Sequence, residues 1–217
     1  MSKSNKYGYS GVDIPTQAFQ ANVGKFDPAE INELVANDQW TQYGQLELIL
    51  TQTVTSSTND VIFSDIKEDI YNVHFLTWSC KPNTDTTQLI GRFYEGGVQE
   101  TASVYRVSNV YNTSGGTFND GGRSNGINYI YYDNYWSGTA SNERHNGYAY
   151  FYNLGDSTKY SFMTAHRTTT GYNSTEYVTG YGGAMLPQEN TVDGFNIGYG
   201  DNNINNGTFS LYGIRYS

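Results

Sequence analysis

The three histidines are the residues of this sequence best suited to acid–base or transition-metal chemistry. His74 lies in a run that alternates like a strand, His145 lies in the loop sequence SNERHNG, and His166 ends another alternating run. Zinc sites often have the spacing HExxH, which the sequence lacks. The sequence does contain a GxSxG match, GRSNG at 122–126, but this match lies between short alternating segments and is not followed by the helical pattern that a nucleophile elbow needs. We therefore predict no metal site, no cofactor and no catalytic triad.

Carboxylates offer a second route to chemistry, because two of them at a suitable separation can hydrolyse a glycosidic bond. The acidic residues that could meet in space are scattered along the chain: Glu95, Glu100, Asp133, Glu143 and Glu176. Their spacing brings no particular pair together, and acidic residues are mostly solvated on protein surfaces. We therefore expect no enzymatic activity, and a glycan hydrolase is the alternative.

The segment DNNINNG resembles a calcium loop in its first positions. Asp201, Asn203 and Asn205 occupy positions one, three and five of such a loop. Position six is Asn206 and position twelve is Tyr212, whereas an EF-hand needs Gly and Glu there. The flanking runs DGFNIGY and GTFSLYGIRY alternate with period two, and Asn and Gly tolerate the positive φ of tight turns. The sequence predicts a β-hairpin here.

A tyrosine-rich stretch, INYIYYDNYWSG followed by NGYAYFYNLG, is the most suggestive binding feature. Tyr and Trp rings can stack on sugar rings while neighbouring amides bind hydroxyl groups. Aromatic rings also stabilise cross-strand pairs and subunit interfaces. A subunit interface is the favoured interpretation, with the domain's own core and a glycan site as alternatives. The candidate contact residues are Tyr129, Tyr131, Tyr132, Tyr135 and Trp136.

Residues 1–43 differ in character from the remainder of the chain. Residues 1–26 show no sustained periodicity, which is typical of an extended arm that orders on a partner or across its own domain. A helix is predicted over 28–37, since Asp27 can cap it and Pro28 suits its first position. Spaced apolar residues could anchor this N-terminal arm: Ile14, Phe19, Phe26, Ile31, Leu34 and Trp40.

From residue 44 onward the chain consists of short alternating segments separated by turn clusters such as TSSTND, NTSGG, NDGGRSNG and PQENT. No helical pattern separates these segments, so a parallel α/β sheet is excluded. We predict an all-β domain over 44–217, an antiparallel jelly-roll-like β-sandwich with about four or five strands in each sheet.

Composition agrees with such a protein. The chain has 217 residues, and its 21 Tyr and 24 Gly favour strands joined by tight turns. The net charge of −9 disfavours binding to nucleic-acid phosphates. No apolar run approaches the ~20 residues of a membrane span. The single cysteine, Cys80, cannot form an intramolecular disulfide and is expected as a buried free thiol.

Three segments resemble structural proteins of marine tailed bacteriophages, notably cyanophages. The final run DGFNIGYGDNNINNGTFSLYGIRYS is similar to their closing hairpin, which carries a run of the form sGNinsGtikLYGI. The run LELILTQTVTSSTNDVIFSDI…YNVHFLTW is similar to the first strands of the same domain. The segment GVDIPTQAFQANVGKFDPAEINELVANDQW resembles an arm of such proteins. The heavy tyrosine block departs from the family pattern.

The resemblance implies a non-enzymatic virion protein that is made in the host cytoplasm. Its N-terminal arm would clamp it to the particle, and its β-sandwich would face outward as a capsid decoration or a neck or tail appendage. Its partners would be capsid, neck or tail proteins and further copies of itself, with a trimer as the expected assembly. The alternative is a tail-fibre adhesin that recognises host surface glycans. Neither nucleic acid nor membrane is an expected partner.

Overall fold

A computed structural model describes residues 28–36, 46–172 and 175–215. The chain divides into two units, Met1–Tyr43 and Gly44–Ser217, at the position where the sequence pattern changes. The helix α1 (Pro28–Ala36) lies in the first unit, close to the predicted bounds of 28–37. Within the described residues, no helix is long and apolar enough to cross a membrane.

The predicted anchors of the N-terminal arm are only partly within the described residues. Ile31 and Leu34 lie on α1 and are half-buried. The other predicted anchors lie outside the described residues: Ile14, Phe19, Phe26 and Trp40. The docking role of all six residues stays a prediction.

The second unit contains fourteen β-strands within the described residues. The strands are β1 (Glu47–Val54), β2 (Asp60–Ser64), β3 (Val73–Pro82), β4 (Thr87–Gly91), β5 (Phe93–Glu95), β6 (Val98–Gln99), β7 (Tyr105–Thr113), β8 (Phe118–Ile127), β9 (Ile130–Ser137), β10 (His145–Tyr152), β11 (Ser161–Thr170), β12 (Tyr177–Leu186), β13 (Gly194–Gly198) and β14 (Ile204–Ile214).

Two antiparallel sheets pack as a sandwich, which confirms the predicted fold class. The larger sheet has eight strands in the order β1-β14-β3-β10-β11-β12-β7-β8. The smaller sheet has six, in the order β6-β5-β13-β4-β9 with β2 also paired to β13. Both sheets are larger than predicted, because the run TQLIGRFYE forms two strands, the short strand β6 follows it, and one predicted turn is also a strand.

That turn cluster, NDGGRSNG, lies inside β8 at the edge of the larger sheet. Gly and Asn usually indicate a turn, but here β8 pairs with β7 and passes close to other parts of the domain. A Cβ atom at Gly122 would lie 2.4 Å from Asn134 Nδ2. Glycine at this position therefore permits a close approach between strands that a larger residue would prevent.

The predicted hairpin of DGFNIGY and GTFSLYGIRY is wrong in its pairing. β13 belongs to the smaller sheet, whereas β14 lies between β1 and β3 in the larger sheet. The segment between them does turn tightly: the Asn202 amide donates to the Tyr199 carbonyl at 3.3 Å, and Gly200 has a φ of 67°. Alternation predicts a strand but not its neighbour, so the sequence pattern could not show that the chain crosses between sheets here.

The core between the sheets is rich in aromatic rings. Phe151 stacks on Phe195 with ring centroids 4.4 Å apart, and Phe195 stacks on Phe63 at 5.1 Å. Phe93 and Tyr132 meet Phe151 edge-on, with centroids 6.1 and 6.2 Å away. All five rings are fully buried. Because Phe63, Phe93, Tyr132 and Phe195 come from the smaller sheet and Phe151 from the larger, these contacts join the two sheets.

His74 lies on β3 and is fully buried, with its Nε2 atom 2.9 Å from the Ile66 carbonyl oxygen. Burial lowers the pKa of its imidazole from 6.5 to about 4, because an enclosed ring resists protonation. In the unfolded chain the same imidazole binds a proton near pH 6.5. Stability contributed by the neutral ring is therefore fully present above that pH and is lost as the pH falls toward 4.

We expect lowering the pH from 7 to 5 to cost about 2 kcal/mol of unfolding free energy through His74 alone. Urea unfolding of the wild type and of His74→Gln at both pH values measures this contribution. The glutamine amide can still donate to the Ile66 carbonyl oxygen but does not titrate, so its pH-dependent loss should be smaller by that amount. Equal losses in the two proteins would contradict the assignment to His74.

Candidate functional site

An ionic cluster at the joint between the sheets contains two of the residues considered for chemistry. Asp133 Oδ2 lies 2.9 Å from His145 Nδ1, and Asp133 Oδ1 lies 2.7 Å from Arg167 Nε. The three side chains are at most 1% exposed. The expectation of a solvated carboxylate is therefore wrong for Asp133, because β9 packs over β10 and β11 at this point. We call these three residues the buried cluster.

Arg167 reaches several further acceptors. Its guanidinium donates to the Asn134 side-chain oxygen, to the Val110 carbonyl at 3.3 Å and to Asn109 Oδ1 at 3.4 Å. Burial lowers the pKa of Arg167, and the charge of Asp133 opposes that shift. These contacts connect β9 of the smaller sheet with β11 and β7 of the larger sheet, and the Asp133–His145 contact adds β10. The cluster is enclosed, so a substrate-sized molecule cannot reach it. Its contacts stabilise the packing of the two sheets against each other.

Cys80 lies beside this cluster as the predicted buried free thiol. Its Sγ atom is 3.3 Å from the Tyr199 hydroxyl, and the Tyr199 ring lies 5.5 Å from the His145 ring between centroids. Burial raises the pKa of the Cys80 thiol to about 12, so it is not a ready nucleophile at neutral pH. Among the described residues, no group of three or more His, Cys, Asp or Glu side chains could hold a metal ion.

The remaining carboxylates considered for hydrolysis bind protein groups close to them. Glu143 is buried and accepts a hydrogen bond from the Ala140 amide, and Glu176 accepts one from the Gly115 amide. Glu100 accepts a hydrogen bond from Gln188, and Glu95 accepts one from Asn190. Burial raises the pKa of Glu95, with the charge of Glu100 adding to the shift. Through these hydrogen bonds the four carboxylates stabilise turns and loops.

Three of the candidate aromatic residues line one hollow beside β9. Tyr131, Tyr135 and Trp136 surround a space of about 230 Å³, which we call the β9 hollow. The other lining residues are Gln88, Tyr111, Asn119, Gly122 and Asn134. Trp136 is 56% exposed, and burial raises the pKa of the Tyr135 hydroxyl. Rings beside amides match the chemistry of a sugar, whose apolar face stacks and whose hydroxyls form hydrogen bonds.

The other two candidates lie elsewhere. Tyr129 is half-buried, and its hydroxyl lies 3.0 Å from that of Tyr131. Tyr132 is fully buried against Trp78 and Phe151, and its hydroxyl donates to the Asn196 carbonyl at 3.1 Å. Tyr132 therefore belongs to the domain's own core and offers no ring to a partner or a glycan. Its position follows from the alternation of β9, which points Ile130 and Tyr132 inward.

A second aromatic surface lies on the outer face of the larger sheet. Tyr148 on β10, His166 on β11 and Tyr181 on β12 stand opposite one another in register. Ring centroids are 5.6 Å apart for Tyr148 and His166 and 5.8 Å apart for His166 and Tyr181. The Tyr148 hydroxyl lies 2.9 Å from His166 Nδ1. These three side chains form a wall across the sheet.

Small residues lie beside that wall. Thr164, Gly183 and Ser108 are paired in register on β11, β12 and β7, with Tyr150 opposite Thr164 at one end. The result is an open depression of about 420 Å³, which we call the outer trough. Its lining residues are Ser108, Tyr148, Tyr150, Thr164, Ala165, His166, Tyr181, Gly182 and Gly183. They come from separate parts of the sequence, so only strand order brings them together.

No protein-family model matches this sequence, and no curated protein matches it. A crystal structure of a protein of unknown function from Shewanella oneidensis MR-1 shows a weak structural likeness. The identity is 8%, the alignment covers 89% of this chain and 98% of that chain, and the TM-score is 0.23. A likeness at this TM-score carries no argument about the fold or the function of this protein.

Proposed function

We propose that the protein is a non-enzymatic structural component of a bacteriophage virion. In this proposal residues 1–43 hold it to capsid, neck or tail proteins, and the β-sandwich faces outward as a decoration or appendage. The resemblance of its first strands, final run and arm to phage structural proteins supports this class. The observation that carries the non-enzymatic part is the enclosure of the buried cluster, whose side chains are at most 1% exposed.

The exposed surface supports a role in contact with other molecules. Trp136 and Tyr181 are each more than half exposed, although large aromatic side chains are usually buried well beyond that. Such rings lower the free energy when they are covered by a partner. The partners in this proposal are other virion proteins and further copies of the chain, with a trimer as the expected assembly.

A tail-fibre adhesin that binds host surface glycans is the second candidate. The β9 hollow favours it, because Tyr131, Tyr135 and Trp136 converge there with three amide side chains. An adhesin also needs an attached end, so the N-terminal arm is compatible with both candidates. Particle incorporation and cell adsorption separate them when they are measured on the same variants.

Deletion of residues 1–43 is expected to lower incorporation into purified particles by at least about tenfold while the β domain stays folded. Burial of several apolar anchors contributes about 1.5–3 kcal/mol each before ordering costs, so their joint loss removes most of the attachment. Immunoblots of purified particles measure incorporation, and circular dichroism with urea unfolding checks the domain. Full incorporation of the shortened chain would remove the anchoring role.

Adsorption of particles to host cells is measured with Trp136→Ala, and Tyr177→Ala is the control. The two side chains are matched in exposure, at 56% and 53%, and only Trp136 lines the β9 hollow. A decoration protein should give normal adsorption of particles to host cells with either variant. Weaker adsorption with Trp136→Ala alone, at normal incorporation, would favour the adhesin.

A further inference from the structure

The outer trough has the form of an extended groove. Its wall of Tyr148, His166 and Tyr181 crosses three neighbouring strands, and its floor continues onto a fourth strand at Ser108. Neighbouring strands are about 4.8 Å apart, so the floor extends for roughly 14 Å. A groove of this length suits a short run of linked units better than a single small molecule.

The floor is low because side chains are small or absent there. A Cβ atom at Gly183 would lie 2.5 Å from the Met163 carbonyl oxygen, and one at Gly182 would lie 2.5 Å from the Ser108 carbonyl oxygen. Both positions therefore require glycine for the strands to pair as they do. Because these two glycines carry no side chain, the neighbouring rings project above the backbone, and 55% of Tyr181 is exposed.

The chemistry of the lining distinguishes a sugar chain from a protein partner. Every lining side chain larger than alanine carries a hydroxyl or an imidazole, and the lining includes no branched aliphatic side chain. A protein interface normally surrounds its aromatic anchors with apolar contacts that exclude water. A polysaccharide instead presents apolar ring faces edged by hydroxyls, which phenol rings and hydroxyl groups match together.

The absence of acidic, lysine and arginine side chains from the lining favours a neutral polysaccharide over a charged one. None of the lining residues is an acid, a lysine or an arginine, so no fixed charge is available to pair with a sulfate or uronate group. The net charge of −9 further disfavours anionic chains. Because the rings stand on paired strands and Tyr148 is tied to His166, little side-chain freedom is lost on binding.

We propose that the outer trough binds a chain of a neutral polysaccharide, with Tyr181 and Tyr148 as the stacking residues. This inference goes beyond the proposed function. It concerns the full-length protein in isolation and does not depend on where the protein sits in a particle.

Native gel electrophoresis of the full-length protein through gels containing laminarin, dextran or galactomannan tests the proposal, with alginate as the anionic comparison. We expect at least one neutral polysaccharide to retard the protein and alginate to have no effect. Tyr181→Ala should weaken the retarding interaction by at least about tenfold. Thr164→Trp, which fills the floor, should abolish it.

Tyr177→Ala is the matched control, because Tyr177 lies on the same strand with 53% exposure and does not line the trough. It should bind like the wild type, and circular dichroism should show every variant folded. Failure of all three neutral polysaccharides to bind would overturn the proposal, as would equal effects of Tyr177→Ala and Tyr181→Ala. Loss of binding in Trp136→Ala with retention in Tyr181→Ala would place the ligand in the β9 hollow instead. A lower mass of Tyr181→Ala by light scattering would identify the trough as an interface between copies.

Discussion

Replacing Asp133 with Asn should lower the free energy of unfolding by about 3–5 kcal/mol, the range observed when one partner of a buried ion pair is removed. The asparagine keeps the shape of the side chain but lacks its charge. Arg167 would then remain charged in a site where it is at most 1% exposed. His145 would lose its carboxylate partner at the same time. The loss thus comes from uncompensated burial and not from a cavity.

Urea unfolding at pH 7 measures the effect, and Asp120→Asn is the matched control. Asp120 pairs with Arg123 at 3.3 Å, but its side chain is 55% exposed. An exposed pair contributes about 0–1 kcal/mol, because water solvates both charges when the pair is broken. If Asp133→Asn unfolded within 1 kcal/mol of this control, the stabilising role of the buried cluster would be refuted.

Phe151→Ala is expected to lower the free energy of unfolding by about 3–5 kcal/mol as well, through a different mechanism. Phe151 is fully buried and stacks on Phe195 at 4.4 Å, with Phe93 and Tyr132 at its edges. Alanine would leave a cavity bounded by rings from the opposite sheet. These rings cannot close it without separating from their own strands.

Equilibrium unfolding in urea again provides the measurement, with Phe118→Ala as the comparison. Phe118 is 64% exposed at the start of β8, so its removal should change stability by no more than about 0.5 kcal/mol. Phe151→Leu should fall between the two, since leucine refills part of the cavity. A loss for Phe151→Ala below that of Phe151→Leu would show that ring packing is not what joins the sheets.

Local patterns in the sequence predicted the strands well and their neighbours poorly. Alternation in INYIYYDNYW placed Tyr132 on the opposite face from Tyr131, and the structure puts one in the core and the other beside the β9 hollow. Alternation is a property of a single strand, so it needs no knowledge of the rest of the fold. The pairing of β14 with β1 and β3 depends on residues far away in the sequence, which a local pattern does not contain.

The same limit applies to the candidate sites. Asp133, His145 and Arg167 gave no spacing signal, because three different strands bring them together. Tyr148, His166 and Tyr181 likewise form a wall only through the register of β10, β11 and β12. The tyrosine-rich composition indicated that aromatic surfaces exist, and the β9 residues could be named because they are consecutive. The outer trough could not be named without the strand order.

The position of β14 between β1 and β3 has a consequence for the order of folding during synthesis. β1 pairs only with β14 among the described strands, and a contact such as Thr51 with Ser210 spans 159 positions. The ribosome therefore releases β1 long before its neighbour exists, and the strand must wait unpaired while the intervening residues are made. Domains dominated by such distant pairings fold slowly, because a long loop must close before any contact forms. The larger sheet is thus completed late, and a chain interrupted before residue 204 lacks the strand that lies between β1 and β3.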